Sequence, residues 1–186
     1  ALYALEISHL KIEISNIEVP ILDGTSKIFL NAIQEVGVKK QEKYCNEFIV
    51  NKIISFKSSK GIQFHLIPSN DYKFTYHLEY KNIPILNQNH SISLKDDNYE
   101  KSIASCKTFC LLSELLKLYE LNLIKGGSLK NAVVYIDQKI SSNQEKQIMD
   151  LFGIKIDYSK PMLSNIDSIN ENEAAKHKIL DLIGDT

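Results

Sequence analysis

The sequence predicts an α+β fold, and three features carry that reading. Between positions 48 and 80 the chain is a succession of short β-prone runs: Phe48-Ile49-Val50, Ile53-Ile54-Ser55-Phe56, Ile62 to Ile67 and Lys73 to Tyr80. From Leu111 onward the apolar residues instead recur at helical spacing, as at Leu112, Leu115, Leu116, Tyr119 and Leu123. Strand-rich and helix-rich stretches segregated along one chain point to α+β. The third feature is composition. Hydrophobic residues make up 44% of the 186 positions, enough for a buried core. No apolar run reaches the roughly 18 residues of a membrane span.

Taken in order, Ala1 to Leu5 has helical character with no cap before it, and is expected to end an element that began earlier. It lacks the basic leader and cleavage site of a signal peptide. Leu10 to Ile14 alternates and predicts a half-buried strand. The Asp23-Gly24 pair marks a turn. Thr25 or Ser26 then caps a helix through Val36, with apolar Ile28, Phe29, Ala32 and Ile33 and with Gly37 as the residue that closes it. Lys39 to Lys43 is a polar bridge, which divides the chain into a domain portion at 1–40 and a second domain at 41–186. Ser58 to Gly61 supplies a hairpin turn between two of the strands. His65 and His77 sit in strand patterns and read as structural. The helix beginning near Leu111 stops at Gly126-Gly127, and Ala132 to Ile136 follows as a strand. Gln144 to Phe152 predicts another helix, and Ile154 to Ile156 is strand-like.

The net charge of −1 gives no general case for nucleic-acid binding. Three cysteines, Cys45, Cys106 and Cys110, make an odd set without zinc spacing. They read as reduced thiols, which fits a cytoplasmic protein, expected here as a monomer.

The stretch richest in chemistry lies near the end. A polar run from Ser164, with Ser168, Asn170 and Asn172 as candidate caps, gives way to the apolar-periodic Ala174 to Asp185. On the helix this predicts, His177 and Asp181 are four residues apart and share a face. An imidazole and a carboxylate so placed can hold one metal ion if a third ligand comes from elsewhere. The same spacing also serves an ordinary solvated or intrahelically bonded pair. Asp185 lies one turn further on.

The wider string His177-Lys178-Ile179-Leu180-Asp181-Leu182-Ile183-Gly184-Asp185 resembles the His-Lys-x-x-Asp-x-x-Gly-Asp zinc motif of the UDP-3-O-acyl-N-acetylglucosamine deacetylase family, which serves lipid A biosynthesis. The resemblance implies Zn2+ on His177 and Asp181, with Lys178 binding substrate and Asp185 serving catalysis by orienting a second His. Glu18-Val19-Pro20-Ile21-Leu22-Asp23-Gly24-Thr25 is similar to the segment that closes the family's first domain, although Asp23 also reads simply as a turn residue. Cys106-Lys107-Thr108-Phe109 resembles the family's Ala-Arg-Thr-Phe segment. It implies a Thr108 hydroxyl that donates to the oxyanion, with Phe109 beside the substrate. Glu79-Tyr80 stands where the family's acidic and aromatic pair binds the uridine end. The following loop departs from the family, with Asn82, Ile83 and Leu86 in place of His, Pro and Gly.

The resemblance also implies two-layer helix-on-sheet sandwich domains, with a small βαβ insert at about 109–136 that forms an acyl passage. Its lining positions map to Leu115, Tyr119, Ile124, Leu129 and Val134, residues that ordinary core would use equally well. The expected reaction is zinc-dependent hydrolytic deacetylation of UDP-3-O-acyl-N-acetylglucosamine. The family's third zinc ligand and its catalytic His have no counterpart here. The chain is therefore expected to be an internal fragment, inactive by itself. The competing reading is a degenerate, non-enzymatic nucleotide-sugar-binding module.

Overall fold

The computed structural model describes residues 1–42, 48–95, 99–121, 123, 126–163 and 169–186. After a short 3-10 turn at Tyr3–Leu5 come α1 (Lys27–Val36), β1 (Ile54–Lys57), β2 (Gln63–Leu66) and β3 (Lys73–Leu78). A second 3-10 turn at Pro84–Leu86 leads to β4 (Gln88–Ser93) and the one-turn α2 (Tyr99–Ser102). Then follow β5 (Thr108–Leu111), α3 (Leu112–Glu120), β6 (Ala132–Tyr135), α4 (Ser142–Phe152), β7 (Met162–Leu163) and α5 (Glu173–Asp185). The architecture is α+β. Strands β1 and β2 form one antiparallel pair and β3 and β4 another, while β5, β6 and β7 make a three-stranded sheet. Within that sheet β5 and β6 run parallel, and β6 and β7 antiparallel.

Local chemistry explains most boundaries. At the start of α1 the Thr25 hydroxyl accepts from the Lys27 N–H at 3.3 Å. Ser26 turns its hydroxyl instead to Tyr99 and to the Ala104 carbonyl, at 2.9 and 3.2 Å. The helix closes at Gly37, whose φ of 83° is open to glycine and whose N–H donates to Ile33 at 2.8 Å. Gly24 has a stricter requirement, because its φ is 80° and a Cβ there would collide with the Asn131 carbonyl. The β1–β2 hairpin turns as predicted, with the Ser58 N–H on the Ile62 carbonyl at 2.8 Å. Helix α4 opens on Ser141, whose N–H and hydroxyl both donate to the Gln144 side chain at 3.0 Å.

Three predicted strands do not form. Leu10 to Ile14 lies outside every strand, with Leu10, Ile12 and Ile14 exposed. Alternation makes a strand only beside a partner, and none of the described strands pairs with this segment. Phe48 to Val50 is likewise exposed coil. Ile154 to Ile156 forms no ladder, although Ile156 is buried in a core. Helix α3 also ends at Glu120, sooner than its apolar pattern suggests, leaving Leu123 exposed.

Two cores and a bridge hold the elements. Helix α5 lies across β3 and β4, where Ile179 and Ile183 meet Phe74, Ile92, Ile103 and the α1 residue Leu30. The β5–α3–β6 unit has its own core, in which Leu112, Leu115, Leu116, Leu129 and Val134 pack against Ile148 of α4 and Leu163 of β7. Strand β6 joins the two by alternation. Val134 faces the second core, while Val133 and Tyr135 face a bridging cluster with Ile83, Leu86 and Ala174 of α5. No helix among the described residues is long and apolar enough to cross a membrane.

Candidate active site

Helix α5 enters the protein N-terminus first. Its first turns carry Ala174 and Ala175, fully buried, and Ala174 packs in one cluster with Val133 and Tyr135 of β6. The Ala175 N–H, one of the donors that a helix start leaves unpaired, donates to Gln88 Oε1 at 3.1 Å. This seating brings His177 against the strand entering β5, with only 8% of the residue exposed.

The His177 ring is polarised by its neighbours. Nδ1 lies 3.3 Å from the Cys106 carbonyl. A carbonyl can only accept, so in this hydrogen bond Nδ1 is the donor. Burial pushes the pKa below that of a free imidazole, and the Asp181 carboxylate, acting the other way, does not reverse this. A neutral ring with its proton on Nδ1 presents a lone pair at Nε2. Asp181 Oδ1 stands 3.4 Å from that nitrogen. In that form two acceptors face each other, an arrangement that a cation would satisfy.

Around the pair sit the groups that the motif singles out. Lys178 Nζ donates to Asp181 Oδ2 at 3.0 Å. The same ammonium lies over the Phe109 ring, 5.7 Å from its centroid. Phe109 in turn meets Tyr135 edge-on at 5.7 Å. Tyr80 comes in from the β3–β4 connection. Burial raises its phenol pKa, Glu114 raises it further and Lys178 opposes them, so its hydroxyl lies within the field of both charges. Thr108 opens β5, half-buried, between Lys107 and Phe109.

The structure therefore brings together His177, Asp181, Lys178, Phe109 and Tyr80 from three separate stretches. Glu79 is exposed beside them. Asp185 is also exposed, and its carboxylate makes no hydrogen bond or ion pair with another described residue. Leu115, Leu129 and Val134 are buried in the second core, Tyr119 is 50% exposed, and Ile124 lies outside the described residues. Asp23 acts as a turn residue, accepting from the Thr25 N–H and hydroxyl at 3.0 and 2.8 Å. Its carbonyl takes Lys107 Nζ at 2.6 Å, which ties the turn before α1 to the approach to β5.

Three residues of this neighbourhood escaped the sequence reading: Glu173, Gln88 and Tyr135. Glu173 had one available signal, an acidic residue in the first turn of a helix. That signal is satisfied equally well by a solvated charge near the helix dipole. A cleft of about 300 Å³ opens at the N-terminal end of α5, lined in part by Asn87, Gln88, Tyr135 and Asn172. None of the predicted site residues lines it. Among the described residues, no group of three or more His, Cys, Asp and Glu side chains could hold a metal. The His177–Asp181 pair supplies two ligands only.

Residues 1–152 match the family described as UDP-3-O-acyl N-acetylglycosamine deacetylase, LpxC. The chain belongs to this deacetylase family. Similarity to individual members runs through α5 as well. The UDP-3-O-acyl-N-acetylglucosamine deacetylase of Syntrophus aciditrophicus is 34% identical over 186 residues, covering all of this chain and 51% of the relative. That of Chlamydia trachomatis serovar D is 31% identical over 186 residues, 57% of its length. The bifunctional LpxC/FabZ enzyme of Chlorobaculum tepidum is 30% identical over 190 residues, 41% of its length. The chain thus spans about half the length of the deacetylase relatives it matches.

Proposed function

We propose that this chain forms part of the site of a zinc-dependent amide hydrolase that deacetylates UDP-3-O-acyl-N-acetylglucosamine in lipid A biosynthesis, in the cytoplasm. One observation carries the reading: Nε2 of His177 faces Asp181 Oδ1 at 3.4 Å, while Nδ1 lies 3.3 Å from the Cys106 carbonyl. The donor set fits zinc, which takes neutral imidazole and carboxylate together. Bound there, zinc supplies the Lewis acidity that amide hydrolysis requires.

The chain's own residues would do the rest. Lys178, held between Asp181 and the Phe109 face, offers its ammonium to a substrate phosphate. Thr108 donates its hydroxyl to the developing oxyanion. Tyr80 stacks on the base and Glu79 accepts from a sugar hydroxyl. Asp185, on the wet end of α5, is free to orient a histidine from outside the described residues. The acyl chain would pass by the β5–α3–β6 unit.

A catalytic zinc site carries three protein ligands, so the third comes from beyond the described residues. The 186-residue chain alone is expected to show no turnover. The test is zinc content after equilibration, by elemental analysis, together with a competition titration. In the full-length protein, wild type and Lys178→Ala should take up zinc, and His177→Ala should not. Unchanged zinc uptake by His177→Ala would overturn the ligand assignment. Turnover by the isolated chain would overturn the need for a further ligand.

A further inference from the structure

We infer that Glu173 is a positioning residue: its buried carboxylate grips the Cys106–Lys107 peptide so that this peptide's carbonyl holds the Nδ1 proton of His177 and leaves Nε2 bare. Glu173 is only 3% exposed. A buried carboxylate is costly unless fully hydrogen-bonded, and this one is well supplied. Oε2 accepts from the Asn170 N–H at 2.9 Å and from its side-chain amide at 2.6 Å. Oε1 accepts from the Lys107 N–H at 2.7 Å, across 66 residues of sequence.

The Lys107 N–H and the Cys106 carbonyl belong to the same planar peptide unit. One end of that unit donates to Glu173 and the other accepts from His177, and these two residues are one turn apart on α5. The peptide is thus clamped along the helix at both ends. Fixing its plane fixes the direction of the carbonyl, which fixes the imidazole tautomer. A charged acceptor on the N–H also polarises the peptide and makes its oxygen the stronger acceptor. The arrangement performs the service that a carboxylate hydrogen-bonded to a ligand histidine performs, here relayed through a peptide bond. Asn170 anchors the carboxylate and its amide reaches the Cys106 thiol at 4.0 Å, but it hydrogen-bonds neither end of the peptide. The significance for zinc rests on the reading proposed above. The tautomer assignment does not.

The experiment is 15N NMR of the metal-free chain with labelled histidine, at about pH 8, where imidazole is neutral. Wild type should show His177 as the Nδ1–H tautomer. Glu173→Gln, which removes the charge and replaces one acceptor by a donor, should shift the population toward Nε2–H and, in the full-length protein, weaken zinc by about tenfold or more. A core variant of similar stability loss, Ile183→Val, should leave the tautomer unchanged. An Nε2–H tautomer in wild type would overturn the inference without any variant having to fold. So would a folded Glu173→Gln variant whose tautomer matches wild type, even if it binds zinc normally. If full-length wild type takes up no zinc while Glu173→Gln still shifts the tautomer, the metal reading fails and the positioning role stands.

Discussion

Replacing Leu115 by alanine separates a packed core from an acyl passage. Leu115 is 4% exposed and shares its cluster with Leu112, Leu116, Leu129, Val134 and Ile148. Leucine to alanine removes three carbons. At about 0.8 kcal/mol per buried methylene, the transfer loss is about 2.4 kcal/mol. A partly unrelaxed cavity adds to this, for a total of about 3–4 kcal/mol. With a urea dependence of about 2 kcal/mol/M, the midpoint should fall by about 1.5–2 M, read by circular dichroism. A side chain lining free volume would lose far fewer contacts, and its midpoint would move by less than about 0.5 M on the same reasoning. Overpacking gives the complementary reading. Leu129→Trp should cost about 1–3 kcal/mol in a filled core and little in an empty one. A small shift in both variants would refute the core packing and favour a passage along these residues.

Two further outcomes follow from local chemistry. Burial first, and nearby carboxylates second, push the Cys106 thiol to about 12 and the Cys110 thiol to about 11. Since the thiolate is the nucleophile, alkylation of Cys110 at pH 8 should run about a hundredfold slower than that of a free thiol. The rate should climb about tenfold per pH unit toward 11, which peptide mass spectrometry can follow. Gly24→Ala should destabilise the fold by more than about 1 kcal/mol, because φ is 80° and the added carbon meets the Asn131 carbonyl. An unchanged melting temperature would show that the Asp23 turn is not held against Asn131.

What was legible in the sequence was whatever depends on near neighbours in the chain. The Gly37 stop, the Ser58–Gly61 turn and the helical register of His177, Lys178 and Asp181 are all set within a few residues. Strand β4 went unread because Gln88 to Ser93 is nearly all polar; it forms because β3 pairs with it, burying Ile92 opposite Phe74. Leu10 to Ile14 shows the converse, a strand pattern without a partner. The site divides along the same line. The His-x-x-x-Asp spacing announces a two-ligand face, and the Thr108-Phe109 motif announces a neighbour. The group that His177 Nδ1 meets is a main-chain carbonyl, which leaves no trace in side-chain identity. The carboxylate behind it reads as an ordinary first-turn acid.

The geometry of α5 explains why its three motif residues stand in different surroundings. Each four-residue step on a helix overshoots a full turn by about 40°. Asp181 is therefore rotated modestly from His177, and Asp185 twice as far. The exposures follow that drift: the side chains of His177 and Asp181 are 10% and 41% exposed, and Asp185 is fully on the surface side. The N-terminal half of the helix is buried nearly all round, at Glu173, Ala174, Ala175 and His177, while the C-terminal half buries chiefly Ile179 and Ile183. A helix buried on all sides at one end can carry polar groups there only if each is hydrogen-bonded. Glu173 and His177 meet that condition through the two ends of one peptide. The same burial that anchors His177 keeps it neutral, and the outward drift leaves Asp181 and Lys178 at the water's edge. An anion arriving from solvent would therefore meet Lys178 before it meets the histidine.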